Sequence, residues 1–253
     1  MLVQHFNFFV YLQQVITKIK IMEYIDFERV YSHERLRRYV LACNNNKRDA
    51  MFLYRYNLKL SKEMFAIIGC FEVALRNGID VEMKKHFGDD WLRDSILKGG
   101  MFYSDLRVLK TKTVIESAYN EIVCNGSYTH SKLLSKMFFG TWKHMFNNIH
   151  YTLSGRCLLN IFPNKPKSTS TNNYNNNFVF SELDMINDLR NRIAHHESIC
   201  FKYPHSIDLL MIKHCYDSMI MFFEWMQINH KGLLFGFDHI DEIAEKIKKF
   251  SEK

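Results

Sequence analysis

The chain contains very few of the residues that break helices. Only 10 glycines and 3 prolines occur among its 253 residues. Folds built from many short strands need frequent turns, and turns depend on glycine and proline. Apolar residues instead recur at helical spacing, as at Ile67, Phe71, Ala74 and Leu75. The sequence therefore predicts an all-α fold, with helices near 8–22, 29–44, 47–57, 61–87, 103–124, 130–137, 141–150, 181–196, 206–229 and 238–250.

The length and composition predict one large domain. Hydrophobic residues make up 47% of the chain, which is enough for a sizeable core. We expect a single all-α domain at 22–253, preceded by an N-terminal extension at 1–21 with a helical segment in it and Met22 as a candidate alternative start. The extension is apolar but interrupted by polar residues, so we expect neither a membrane span nor a signal peptide. An Asn-rich, Ser-rich and Thr-rich stretch predicts a flexible surface loop at 163–177.

The net charge indicates what kind of partner the protein could bind, and the cysteines indicate the redox state of its compartment. The formal net charge of +7 suits an anionic partner such as a nucleic acid, although many basic proteins bind none. The six cysteines are scattered and form no C-x-x-C pair. We therefore expect small core residues in a reducing compartment, with no disulfides and no structural zinc.

The strongest functional signal is the run Arg190-Asn191-Arg192-Ile193-Ala194-His195-His196-Glu197. Arginine neutralises phosphate charge, and histidine moves a proton near neutral pH. Cleavage of RNA by its own 2′-hydroxyl requires both. We expect Arg190 and His195 to be catalytic, with Asn191 orienting the histidine or holding a phosphate. A bare R-x4-H pattern arises often by chance, so the surrounding sequence has to support it.

Helical geometry separates the two histidines. Ser181 and Asp184 form a candidate capping box, which predicts that the motif helix begins there. At about 100° per residue, an apolar stripe through Leu189 then faces the core and His195 lies roughly opposite. His196 lies nearer the apolar side, so we expect it to be a structural histidine bonded within the core.

Arg190 does not share a helix face with His195. The two residues are five apart, which is roughly 140° around a straight helix and about 7.5 Å along it. Either the helix is distorted, or the long arginine wraps around it, or a second copy of the chain completes the site. Asp188 and Arg192 are four apart, and we expect them to pair beside the site.

Six fragments, in order and at consistent spacing, resemble the Abi-like abortive-infection proteins of bacteria (AbiF/AbiD type), which belong to the HEPN superfamily. The resemblance covers most of the chain from about Tyr31 onward. The fragments are Arg35-Leu36-Arg37-Arg38-Tyr39, Leu53-Tyr54-Arg55-Tyr56-Asn57, Phe71-Glu72-Val73-Ala74-Leu75-Arg76-Asn77, Phe87-Gly88-Asp89-Asp90-Trp91, Met137-Phe138-Phe139-Gly140-Thr141-Trp142 and Leu189-Arg190-Asn191-Arg192-Ile193-Ala194-His195-His196-Glu197.

The resemblance implies a HEPN-like helical bundle with additional helices, a homodimer and metal-independent RNA cleavage. It also implies a bacterial cytoplasmic role in antiviral defence or as a toxin of a toxin–antitoxin pair. Arg190 and His195 are the implied functional pair, with Asn191 as the polar residue after the arginine. A small structured RNA is an implied regulatory partner, and neither a cofactor nor a metal ion is implied.

Three alternatives remain open. In the first, Arg190 is a helix-packing salt-bridge residue and His195 is a solvated histidine. In the second, the protein binds RNA without cutting it. In the third, it is a zinc hydrolase using His195, His196 and Glu197. Adjacent histidines point in different directions on a helix, which disfavours zinc. The 163–177 loop is an inert insertion or an RNA-contacting flap, and the first is favoured. Candidate RNA-binding residues are Arg76, Asn77, Lys84, Lys85, Lys143 and Arg192; their alternative roles are pairing of Arg76 with Glu72 and simple solvation of Lys84 and Lys85.

Overall fold

The computed structural model describes residues 22–202 and 205–251, and within them the protein is helical with one small hairpin. The helices are α1 (Tyr24–Tyr31), α2 (His33–Ala42), α3 (Lys47–Phe87), α4 (Trp91–Asp94), α5 (Leu109–Cys124), α6 (His130–Lys136), α7 (Phe139–His144), α8 (Asn148–Leu153), α9 (Asn176–Ala194), α10 (Leu210–Trp225), α11 (His230–Leu233) and α12 (Ile240–Lys248). Two 3₁₀ turns lie at Leu106–Val108 and Leu158–Ile161, and strands β1 (Phe201–Lys202) and β2 (Ser206–Ile207) pair antiparallel. The all-α prediction is confirmed.

The long helix α3 is the centre of the molecule. It has 41 residues and so extends about 60 Å. The side chain of Asn46 accepts a hydrogen bond from the backbone N–H of Asp49 at its start. Gly88, with φ of +85°, ends it. The prediction of separate helices at 47–57 and 61–87 is wrong, because no glycine or proline interrupts that join and Leu60 packs in the core.

The hydrophobic core forms where other helices pack on α3. Helices α2, α9, α10 and α12 all contact it. At its middle, the fully buried Phe71 has its ring centroid 5.5–6.3 Å from those of Phe139, Phe222 and Phe223. This aromatic cluster joins α7 and α10 to the central helix, and α9 packs against both of them.

Several predicted boundaries are corrected. The expected helix at 29–44 is two helices, because Ser32 adopts a positive φ of 70° between them. The expected helix at 206–229 begins only at Leu210, since β2 occupies its first residues. The expected helix at 141–150 is divided into α7 and α8.

The motif helix also begins earlier than predicted. Helix α9 starts at Asn176, and the side chain of Asn175 caps it by accepting from the N–H of Phe178 at 3.0 Å. The prediction that Ser181 and Asp184 cap the start of this helix is therefore wrong. The loop predicted at 163–177 accordingly ends at residue 175. The Tyr174 ring, at its end, contacts Phe178 and Trp225.

Two expectations concern the ends of the chain. The extension at 1–21 and the helix expected at 8–22 lie outside the described residues, apart from Met22. Among the helices of the described residues, none is both long and apolar enough to cross a membrane.

Candidate functional site

The R-x4-H motif lies at the point where α9 ends and turns back toward α2 and α3. The N–H of His196 donates to the carbonyl of Ile193 at 2.9 Å, and the N–H of Glu197 donates to that of Arg192 at 2.8 Å. These two bonds form a Schellman motif, in which the residue after the helix adopts a left-handed conformation. That residue is His196, with φ of +58°. Residues 195–200 are here called the motif turn.

The left-handed position gives His196 a different role from the predicted one. Glycine is the usual residue there, and a side chain costs about 1 kcal/mol or more. The His196 side chain is exposed, so the prediction of a core-bonded structural histidine is wrong. What holds the turn at this residue is its backbone: the guanidinium of Arg35, on α2, donates to the His196 carbonyl oxygen.

His195 is the accessible histidine of the motif. It is the C-terminal cap of α9, and its N–H continues the helix by donating to the carbonyl of Asn191 at 2.9 Å. Its side chain is exposed, as the helical geometry predicts. The apolar stripe opposite it, which includes Leu189 and Ile193, is buried. An imidazole in this position can exchange protons with a bound substrate.

Arg190 lies on a different side of α9, facing α3. It is half-buried, and its positive charge acts on Glu72 of α3. Burial raises the pKa of the Glu72 carboxyl, while the charges of Arg190 and Arg76 counteract that rise. The expected Glu72–Arg76 pair is not among the ion pairs of the described residues, and Glu72 is affected by the charges of both arginines.

Three side chains from α2 and α3 fix the motif turn. Beyond Arg35, the Tyr39 hydroxyl and the Ser198 hydroxyl are 2.7 Å apart. The buried Asn57 accepts from the backbone N–H groups of Ile199 and Cys200 at 2.9 and 3.2 Å. Each contact joins residues more than 140 positions apart. The end of α9 is therefore anchored to the core rather than left as a free helix end.

Arg192 completes the motif turn from within. Its guanidinium donates to the carbonyl of Ser198 at 2.7 Å and to the carboxylate of Glu197 at 3.3 Å. The predicted pair with Asp188 is wrong: Asp188 is exposed, and its charge acts on Cys215 of α10 instead. Arg192 is committed to the turn, which does not favour its predicted role in binding RNA.

The other candidate RNA-binding residues are mostly engaged with neighbours. Lys84 pairs with Asp80 at 2.7 Å and Lys85 with Glu82 at 2.9 Å. Lys143 is buried and pairs with Asp184 at 2.5 Å, so its ammonium is poorly placed to reach an RNA backbone. Arg76 donates to the exposed Asn77 at 3.4 Å. Three of the six candidates are therefore held in ion pairs with neighbouring carboxylates.

No set of three metal-binding side chains includes the motif histidines in the part of the chain that the structure describes. His195 and His196 occupy different backbone conformations, with φ of −87° and +58°. They consequently do not present their rings side by side as an i, i+4 histidine pair does. The arrangement supports proton transfer and charge neutralisation as the chemistry of this site.

Sequence reasoning found the motif but missed the residues that hold it. Arg35, Tyr39 and Asn57 contact the motif turn, and Glu72 faces Arg190. All four belong to fragments that carry the family resemblance. The resemblance could therefore have pointed to these four residues, because fragments that are far apart in sequence but recur together in a family often meet in space.

A comparison with protein-family models gives a match to the model described as "Abi-like protein" over residues 14–200. The match covers more than half of the chain, includes the motif and ends at the motif turn. It begins inside the segment at 1–21 that the sequence suggested to be an extension. Comparisons with curated proteins and with solved structures give no match.

Proposed function

The chain belongs to the Abi-like family, and from that premise we propose that it is a metal-independent endoribonuclease on a HEPN-like fold. Its role in the proposal is bacterial defence against phage by abortive infection, or action as a toxin. The observation that carries the proposal is the site itself. An exposed imidazole and a half-buried arginine share one helix end, which three side chains from α2 and α3 hold in place.

In the proposed reaction the RNA supplies its own nucleophile. The 2′-hydroxyl oxygen attacks the adjacent phosphorus, its proton leaves to a base, and the bond from phosphorus to the 5′-oxygen breaks. His195 accepts the first proton or donates one to the departing 5′-oxygen, each role being worth about 10²–10⁴-fold in rate. Arg190 stabilises the negative charge that develops on the phosphorane oxygens. The products are a 2′,3′-cyclic phosphate and a 5′-hydroxyl, and DNA is not cleaved because it lacks the 2′-hydroxyl.

We propose that two copies of the chain form the working site. Arg190 faces α3 while His195 is exposed at the helix end. A straight helix separates the two positions by roughly 140° and about 7.5 Å. A two-fold axis beside α9 brings the arginine of one copy toward the histidine of the other. Asn191, exposed one turn before His195, then orients the imidazole or binds a phosphate oxygen.

The decisive experiment compares RNA cleavage by the wild type, Arg190→Ala and His195→Ala in excess EDTA, with the cleaved ends mapped. We expect each substitution to reduce cleavage by about 100-fold or more while RNA binding persists. The matched controls are Arg37→Ala, an exposed arginine on α2, and His196→Asn, which tolerates the left-handed backbone. Both controls should cleave as the wild type does.

The outcomes separate the alternatives. Equal cleavage by wild type and both motif variants refutes the assignment of the site. Loss of wild-type cleavage in EDTA refutes the metal-independent mechanism. RNA binding by the wild type without any cleavage supports the alternative of an RNA-binding protein, and co-purification of a discrete small RNA supports a regulatory RNA partner.

A mixing experiment tests the two-copy site separately. Arg190→Ala and His195→Ala chains are mixed, and their subunits are allowed to exchange. If each site takes one residue from each copy, a mixed dimer retains one intact site, and the mixture regains about a quarter of wild-type cleavage. If both residues act within one chain, the mixture stays as inactive as its components, and the shared site is refuted.

A further inference from the structure

A second cluster of chemically active side chains lies near the C-terminal end of α3. Glu82 and His86 occur one turn apart on that helix, and Cys157 lies beside them. One potential ligand atom from each residue lies within 4.8 Å of those of the other two. We propose that these three residues bind a divalent transition-metal ion, with Zn²⁺ as the best chemical fit. The sequence predicted no metal site, because the third residue is 71 positions from the nearest histidine of the set.

The fold holds the cluster together from two directions. An i, i+4 pair on a helix presents both side chains on one face, which suits chelation of a single ion. Cys157 follows Gly155 and Arg156, which both have left-handed backbones with φ of +69° and +60°. This tight bend turns the chain back onto α3 and places the thiol against Glu82.

The three ligands match the preferences of zinc. A thiolate sulfur, an imidazole nitrogen and a carboxylate oxygen all bind Zn²⁺, typically at about 2.0–2.3 Å. Ligand atoms around a tetrahedral ion are about 3.3–3.8 Å apart. Nε2 of His86 already lies 3.1 Å from Oε1 of Glu82, so the remaining approach, of roughly 1 Å, is between these two residues and the sulfur of Cys157. The His86 side chain, 48% exposed, has the freedom to make that movement. Its exposure also leaves the fourth position to water or another ligand.

Two neighbouring side chains act on the two carboxylate oxygens of Glu82, one in favour of ion binding and one against it. Asn160 donates to one Glu82 carboxylate oxygen at 2.8 Å, and this bond orients the carboxylate as outer contacts do in metal sites. Lys85 donates to the other oxygen at 2.9 Å. Its ammonium competes with a metal ion for the same carboxylate, so Lys85→Met should strengthen metal binding.

The thiol of Cys157 makes binding release a proton. A divalent ion displaces that proton to form the thiolate bond. Metal affinity should therefore increase with pH, which is expected for a cysteine ligand.

This site is separate from the R-x4-H motif. Glu82 lies ten residues beyond Glu72, the residue that faces Arg190, which is about 15 Å along the helix. The inference does not rest on the proposed ribonuclease activity, and neither does its test. Metal binding is followed by optical absorption, so either proposal can fail without the other.

The test is titration of the full chain with Co²⁺ after removal of metals by a chelator. We expect the d–d bands of tetrahedral Co²⁺ and a thiolate-to-cobalt charge-transfer band, which Zn²⁺ abolishes by displacement. Cys157→Ser should lose the charge-transfer band, whereas Cys124→Ser, at an exposed cysteine, should keep it. His86→Gln, at an exposed position that should not disturb folding, should weaken Co²⁺ binding by about 10-fold or more.

Three results would overturn the inference. They are the absence of a charge-transfer band in the wild type, an equal band in Cys157→Ser, and unchanged Co²⁺ affinity in His86→Gln. The Lys85→Met variant is expected to increase Co²⁺ affinity, whereas Cys157→Ser and His86→Gln lower it. Removal of the ammonium that competes for Glu82 should strengthen Co²⁺ binding.

Discussion

Asn57 gives the sharpest test of how the fold holds the motif. Its side-chain oxygen accepts two backbone hydrogen bonds, from Ile199 at 2.9 Å and Cys200 at 3.2 Å. Asn57, Ile199 and Cys200 are 3%, 2% and 0% exposed, so water does not readily replace the amide. Asn57→Ala leaves two buried N–H groups without a partner, and each such group costs about 1–3 kcal/mol.

The expected loss in unfolding free energy is about 2–5 kcal/mol. Alanine is a better helix former than asparagine by roughly 0.5 kcal/mol, which offsets a small part of the loss. Asn77→Ala is the matched control, because Asn77 lies on the same helix but is exposed. It shares the helix-propensity gain and should change stability by less than about 0.5 kcal/mol.

Urea unfolding of the two variants and the wild type measures the difference. A constant slope against urea concentration shows that stability, rather than the compactness of a state, has changed. Native-state hydrogen exchange at the amides of Ile199 and Cys200 should accelerate in Asn57→Ala and not in Asn77→Ala. If both variants unfold within about 0.5 kcal/mol of each other, the two hydrogen bonds do not anchor the motif turn.

Three further changes have defined outcomes. Burial, together with the charge of His144, lowers the pKa of His150 to about 4. Between pH 6.5 and pH 4 the unfolded chain therefore binds a proton at His150 that the folded chain does not, and up to about 3 kcal/mol of unfolding free energy is lost as the pH falls through that range. Thermal unfolding across that range should show the loss in the wild type and a weaker one in His150→Gln. His196→Gly removes a left-handed side-chain cost and should stabilise the protein by about 1 kcal/mol, so a lower melting temperature would contradict the Schellman assignment. Tyr39→Phe removes the hydroxyl contact with Ser198 and should cost about 1 kcal/mol in urea unfolding; an unchanged midpoint would show that this contact contributes nothing.

The periodicity of the sequence predicted those features of the fold that depend on neighbouring residues. The shortage of glycine and proline predicted an all-α protein, and the apolar stripe through Leu189 and Ile193 is buried as expected. Exposure of His195 follows from the same spacing. Helix ends were predicted less well: Asn175 caps α9, although Ser181 and Asp184 form the better-known pattern. Several polar residues can cap a helix, and tertiary packing decides which one does.

The candidate site was only partly predictable for a related reason. The motif residues are adjacent in sequence, so their chemistry can be recognised there. The contacts that hold them are not local, since Asn57 lies 142 positions from Ile199. Likewise, nothing in a helical wheel shows that Lys143 is buried against Asp184 or that Arg192 is used within the motif turn.

The sequence by itself determined the helical class, the buried face of α9 and the chemical identity of the motif, because helix periodicity and residue chemistry act over a few positions. Tertiary structure alone decided that His196 takes the left-handed position, that Arg190 faces Glu72, and that Glu82 and His86 meet Cys157. These arrangements depend on which distant segments pack together. That packing is set by the whole core around α3, and no local pattern specifies it.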